Sequence, residues 1–181
     1  MFENVVLIGR PAGLEIERVV REVHHSVDFI IGRSDKDRTG GYFTLLHRPF
    51  VNGPWVELIH CLIGKVRSDK FVRYSSFSKE KATRLAEHVE SGHLTSWQSR
   101  DPEQDRWGGS VVTSSSLSGE QSIFSFSGLP ELADEAAMIM AIMHLGMLSY
   151  EDSGQRAKLS NNRLILDLSA RAFFGRHPNS K

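Results

Sequence analysis

Histidine is the first place to look for chemistry in this chain, because imidazole titrates near neutral pH and ligates metals. Eight histidines occur, but their spacing offers no ready ligand set. His24 and His25 are neighbours, which a helix would turn about 100° apart. His47 and His60 fall in different apolar segments, and His88 and His93 straddle the end of an expected helix. No His-Glu-x-x-His pair and no Cys/His cluster is present, so a metal centre has no signature here. An enzyme would need an acid/base pair, and His88 or His93 with a loop carboxylate is the combination left open.

The single cysteine, Cys61, excludes an internal disulfide. It lies in the run Leu58-Ile-His-Cys-Leu-Ile63. As a strand, that run buries the thiol as a small hydrophobe and turns His60 to the opposite face. Residues 5–13, Val-Val-Leu-Ile-Gly-Arg-Pro-Ala-Gly, open like a phosphate-binding turn but lack the third glycine, and no Gly-Lys-Ser/Thr follows. Those glycines read as turn formers. Ser125-Phe-Ser127-Gly128 does not match the Gly-x-Ser-x-Gly nucleophile elbow. It does precede an expected helix start, where backbone N–H groups can hold a carboxylate, although Glu131 and Asp134 oppose that. Trp97 and Trp107 bracket the mixed-charge loop 100–106 and can wall a pocket or anchor the loop. The candidate ligand-binding residues are therefore Trp107, Gly108, Gly109, Ser125, Ser127 and Gly128. No catalytic or metal-ligating residue is assigned.

The elements that must position these residues follow from periodicity. Residues 14–25 predict an amphipathic helix, with Ile16, Val19, Val20 and Val23 on one face. Asn4 to Gly9, Asp28 to Gly32, Tyr42 to His47 and Trp55 to Ile63 read as short apolar segments or strands. Phe71 to Tyr74 reads as a strand or a lead into the next helix. That helix is expected over 78–91, with Ser78 as its cap and Gly92 closing it. Residues 107–113 and 121–127 suggest a hairpin, with Phe124 and Phe126 sharing one face. A third helix starts near Pro130, its first turn carrying Glu131, Asp134 and Glu135. Hairpins separated by helices predict an α+β domain, an antiparallel sheet with helices packed on it. Its core is expected over roughly 12–150, with 151–181 as a C-terminal extension whose tail from Gly175 is frayed.

The third helix is apolar nearly all round. Met138, Met140, Met143 and Met147 stand among Ile139, Ile142, Leu145 and Leu148. Such a helix is buried on several sides, and a chain with few helices has difficulty covering it alone, so a homo-oligomer is expected. Formal net charge is zero, with 22 basic and 22 acidic residues. That removes the broad basic field that non-specific nucleic-acid binding requires. A hydrophobic fraction of 40 % argues against disorder. The start Met-Phe-Glu-Asn lacks a basic leader. The longest apolar stretch, Ala136 to Leu148, is interrupted by His144 and too short to span a bilayer. The expectation is a soluble, cytoplasmic protein without nucleic-acid or membrane partners.

Three pieces of the chain resemble the GlcG/HbpS-like family, the haem-degrading-protein-like domain also attached to some cobalamin adenosyltransferases. Lys79-Glu-Lys-Ala-Thr-Arg-Leu-Ala86 is similar to that family's Lys-Ala-x-Thr-Ala helix. Trp107-Gly-Gly-Ser-Val-Val112 stands where its Gly-Gly-x-Pro-Ile strand would be. Residues 122–135 are similar to its Ile-Gly-Val-Ser-Gly strand, turn and acidic helix start, with Ser127-Gly128 and Asp134-Glu135 on matching positions. The likeness spans roughly residues 55–148. It departs at Phe124 and Ser125, where the family has glycines, and only Gly64 echoes its Val-Val-Asp-x-x-Gly hairpin. The resemblance implies an oligomerising α+β domain that in some members binds haem or a corrinoid; no haem ligand carries over. The leading expectation is a non-enzymatic small-molecule or cofactor-binding oligomer. The alternatives are an interaction protein using helix 130–148 as its interface, and a small enzyme.

Overall fold

The computed structural model describes residues 15–34, 38–115 and 118–167. The first helix, α1 (Ile16–Ser34), runs nine residues past the sequence expectation. The reason is that Val19, Val23, Val27 and Ile30 continue one stripe at helical spacing, and all four are buried. The apolar run at 28–32 is thus the end of α1 rather than a separate segment. The expected strand at Asn4–Gly9 and the glycine-rich turn at 5–13 lie outside the described residues, as do Ser116 and the tail from Gly175.

Four strands form one antiparallel sheet in the order β2-β1-β4-β3: β1 (Gly40–Arg48), β2 (Val56–Gly64), β3 (Ser110–Ser114) and β4 (Gln121–Ser127). The fold is α+β. β1 and β2 form one hairpin and β3 and β4 another, and β1 pairs with β4 in the centre. Central β1 is covered on both faces, so its burial does not alternate. On one face Phe43, Leu45, Phe124, Phe126 and Val111 meet α1 and α3 (Glu131–His144). On the other, Leu46, Val112 and Ile123 meet Ala82 and Leu85 of α2 (Phe71–His88).

α2 begins at Phe71, seven residues before the expected cap. Phe71 to Tyr74 is its first turn, and Ser78 is buried mid-helix. There the Ser78 hydroxyl donates to the Ser125 carbonyl at 3.2 Å instead of capping. α3 starts where expected, after Pro130. Ala133 to Ile142 are all buried, against the sheet, α1 and the following helix α4 (Tyr150–Leu159). The chain therefore covers its own apolar helix, and no partner subunit is needed to account for it. Ala157 of α4 and Ile165 beyond it join the same core, which extends past residue 150 instead of stopping there. No helix among the described residues is long and apolar enough to cross a membrane.

Candidate functional site

A cleft of about 390 Å³ opens where α2, the β4–α3 turn and the 95–107 loop converge. α2 and the Lys70 that precedes it contribute one stripe, Lys70, Arg73, Tyr74, Phe77 and Lys81, brought to one side by the helical repeat. The turn contributes Ser127 to Pro130, and the first turn of α3 contributes Glu131 and Asp134. Trp107 and Arg38 complete the wall.

Lys81 and Asp134 are both buried and form an ion pair at 2.8 Å at the cleft's edge. The Lys81 ammonium also donates to the Phe126 carbonyl at 3.0 Å. Asp134 reaches back to accept from the Leu129 N–H at 2.8 Å. Burial pushes the Asp134 carboxyl up, to about 6, against the pull of Lys81 and the Leu129 amide. Glu131 accepts from the Gly108 N–H at 2.8 Å and from Arg100 at 2.6 Å. The carboxylates at the start of α3 are therefore committed to the chain's own donors. The expected anion site on the backbone at Ser127–Gly128 is partly filled by the protein itself.

The loop that carries Trp107 is held from below by Arg84, which is buried on α2. Its guanidinium donates to the carbonyls of Ser96 and Ser99 at 2.8 Å each and of Trp107 at 2.6 Å. It also donates to the Ser99 hydroxyl at 2.7 Å and to Glu80 at 2.6 Å. Above, Arg100 lies over the Trp97 ring at 4.8 Å and near Trp107 at 5.7 Å. The two tryptophans that bracket the charged loop thus share one guanidinium, while residues 102–106 stay exposed.

Of the candidate residues, Trp107, Ser127 and Gly128 line the cleft. Gly108 and Gly109 are buried behind it. Gly109 has φ +123°, and a Cβ there would stand 2.9 Å from both the Asp134 side chain and the Lys81 ammonium. It is glycine because the ion pair leaves no room and the backbone is in a glycine region. Gly128 is equally confined, since a Cβ would lie 2.3 Å from the Gly40 carbonyl. Ser125 is not at the cleft. It is fully buried under α2, donating to the Ser78 carbonyl and accepting from Ser110, both at 2.7 Å. Sequence reasoning missed Lys81 and Arg84, because two cations three apart on an amphipathic helix read as a solvated face.

The histidines do not assemble. His24 pairs with Asp28, His25 faces His144, and His47 bonds Ser122. His88 and His93 stack with ring centres 5.0 Å apart, and among the described residues neither forms an ion pair with a carboxylate. No group of three or more His, Cys, Asp or Glu among the described residues could hold a metal. Cys61 packs at the edge of the α1/α3 core, and burial pushes its thiol up to about 11. It stays protonated and unreactive at neutral pH. His60, its neighbour, faces the other side of the sheet and bonds Thr44 and Ser75.

Haem proteins use His, Cys, Met or Tyr axially. The cleft offers Tyr74 alone of these among the described residues. Among the described residues, that one tyrosine is the cleft's axial donor for the haem or corrinoid that the GlcG/HbpS-like resemblance implies. No protein family, curated protein or solved structure matches this chain.

Proposed function

We propose that the protein is a small-molecule-binding module whose cleft takes an organic anion with a flat ring. The observation that carries this reading is the lining itself. Arg38, Lys70 and Arg73 stand with the aromatic side chains of Tyr74, Phe77 and Trp107 around one concave space. Lys81 is neutralised by Asp134 and Glu131 by Arg100, so Lys70 and Arg73 set the sign of the cleft. Lys70 and Arg73 reach Asp69 and Asp105 only at 3.9 Å, through exposed side chains, and such pairs hold their partners weakly. A carboxylate or phosphate displaces them at little cost, and a guanidinium binds either in a bidentate fashion. The ring would stack on the aromatic wall. One chain supplies the whole lining, so this reading needs neither an oligomer nor a metal.

Phenyl phosphate, titrated calorimetrically into the full chain, tests it. Arg73→Glu should weaken binding at least about tenfold through lost and reversed charge, and Trp107→Ala should weaken it while the fold is kept. Affinity unchanged by Arg73→Glu would overturn the placement.

A further inference from the structure

On the face of the sheet away from α1 and α3, His60 and Ser75 belong to a hydrogen-bond chain whose direction can be worked out atom by atom. It starts from a carbonyl, which can only accept. The Ser78 hydroxyl spends its single proton on the Ser125 carbonyl at 3.2 Å. Toward Thr44, 2.8 Å away, Ser78 can therefore only accept, so Thr44 donates to it. Having spent its own proton, the Thr44 oxygen accepts from His60 Nδ1–H at 2.9 Å. His60 then keeps a lone pair on Nε2. That lone pair faces the Ser75 hydroxyl at 2.7 Å, and Ser75 donates to it.

This is the arrangement that activates a serine: a neutral imidazole accepts the hydroxyl proton, and a second group holds the ring in the required tautomer. Burial lowers the proton affinity of His60, Lys79 lowers it further and Glu57 opposes them, so the ring is neutral at pH 7. Thr44 takes the orienting position that a carboxylate often fills. Being uncharged, it stabilises the imidazolium less, and the dyad is correspondingly weaker. His60 and Ser75 are half-buried and reachable from solvent. The ring of Tyr42 stacks on His60 at 5.3 Å. Leu62, the cross-strand partner of Tyr42, and Phe71 add exposed apolar surface beside it. Lys79 lies one turn along α2 from Ser75, with its ammonium paired to Glu57 at 3.1 Å, so an oxyanion formed at Ser75 would have to compete with Glu57 for that charge.

The geometry points to Ser75 as a nucleophilic serine, acylated by small activated carboxylic esters with a short apolar acyl group. Ser75 Oγ bonds to the ester carbonyl carbon as its proton passes to His60 Nε2. The tetrahedral adduct then collapses, the bond to the leaving oxygen breaks, and that oxygen takes the proton from Nε2. Acyl-serine and an alcohol or phenol result, and no oxidant or further reactant is needed. This site is separate from the cleft, whose lining includes neither His60 nor Ser75.

The test uses p-nitrophenyl acetate on the full chain, with acetylation located by peptide mass spectrometry. Ser76 is the internal control: it is adjacent and exposed, and no histidine among the described residues bonds it. Acetyl should accumulate on Ser75 and not on Ser76. His60→Gln should slow it at least about tenfold, and Thr44→Val should slow it less. Equal labelling of Ser75 and Ser76, or labelling indifferent to His60→Gln, would overturn the proposal. Nitrogen-15 NMR of the unmodified protein gives a second check that needs no variant to fold. The proton of His60 should be on Nδ1, and finding it on Nε2 overturns the assignment.

Discussion

Glu135 offers the sharpest test of the energetics, because it is a carboxyl group inside the protein with one oxygen unserved. It sits on α3 and is fully buried. Its Oε1 accepts from the Ser160 hydroxyl and, at 3.2 Å, from the Asn162 amide. Among the described residues its Oε2 has no partner. Burial raises the carboxyl from its ordinary 4.5 to about 7, Ser160 and Asn162 pull it back, and Glu131 adds to the rise. The folded state therefore holds this proton more tightly than the unfolded chain does. The stability it contributes is fully present below pH 4.5 and is lost as the pH rises through about 7. At roughly 1.4 kcal/mol per pH unit the loss amounts to about 3 kcal/mol, a large share of the stability of a domain.

Glu135→Gln keeps the acceptor for Ser160 and Asn162 but cannot ionise. It introduces amide hydrogens where Oε2 has no partner, at a cost of about 1–3 kcal/mol that is the same at every pH. The unpartnered Asn162 Oδ1 nearby is available to accept one of them. The informative quantity is the change in the difference between the two proteins, which cancels that constant and the titration of every other group. Urea denaturation of both at about pH 5 and about pH 8.5 measures it. Between those conditions the variant should gain about 2.5 kcal/mol on the wild type, a relative midpoint shift of about 1–2 M. A difference constant to within about 0.5 kcal/mol would refute the assignment of a raised carboxyl at this position.

Two further substitutions address the buried cations. Lys81→Met strands the Asp134 carboxylate and should cost about 3–5 kcal/mol at pH 8. Asp134 is already raised to about 6, so without Lys81 it takes up a proton, and the deficit should be smaller at about pH 5 than at pH 8. A deficit below about 1 kcal/mol at pH 8, by urea denaturation, would contradict the pairing. Arg84→Lys keeps the charge but cannot span the carbonyls of Ser96, Ser99 and Trp107. It should cost about 2–4 kcal/mol and speed amide exchange across 95–107 before it affects β1 and β4. Unchanged exchange in that loop would show that something else holds it.

The elements that reveal themselves in sequence are those whose apolar residues keep one period. Val19, Val23, Val27 and Ile30 announce α1, and Phe124 with Phe126 announces a strand, because each stripe meets the core on one side. The start of α2 was hidden for the opposite reason. Its first turns present Arg73, Tyr74 and Phe77 to the cleft and Ser75 and Ser78 to the sheet, so no apolar stripe marks them. Ser78 then resembled a cap, since a serine that bonds a distant carbonyl and one that bonds its own helix look alike in one dimension. α3 was legible as a helix but not in its surroundings. An all-apolar circumference says that a helix is covered, and it does not say whether α1, α4 or another subunit does the covering. Half of the proposed ligand set reaches the cleft for a similarly local reason. Trp107 and Ser127–Gly128 flank chain turns, whereas Ser125 sits one strand period further in, where the side chain meets α2.

The cleft depends on charges that no local pattern exposes. Lys81 and Arg84 lie on successive turns of one helix, yet they support different walls. Lys81 bonds the Phe126 carbonyl at the end of β4 and Asp134 at the start of α3, fixing how the chain leaves the sheet. Arg84 gathers the carbonyls of the 95–107 loop and so sets where Trp107 stands. Each cation is costly to bury. Apolar residues of similar size would give a helix that packs as well on the sheet but says nothing about the turn or the loop, since dispersion and burial are non-directional. Hydrogen bonds from a fixed guanidinium and a paired ammonium are directional, and they leave each wall one position. A ligand that needs cations on one side and a ring face on the other requires that definition, because freedom in either wall would have to be surrendered on binding. If this is why the two cations are buried, then Lys81→Met and Arg84→Lys should each weaken the binding of phenyl phosphate, and Arg84→Lys should do so although Arg84 is not part of the cleft lining.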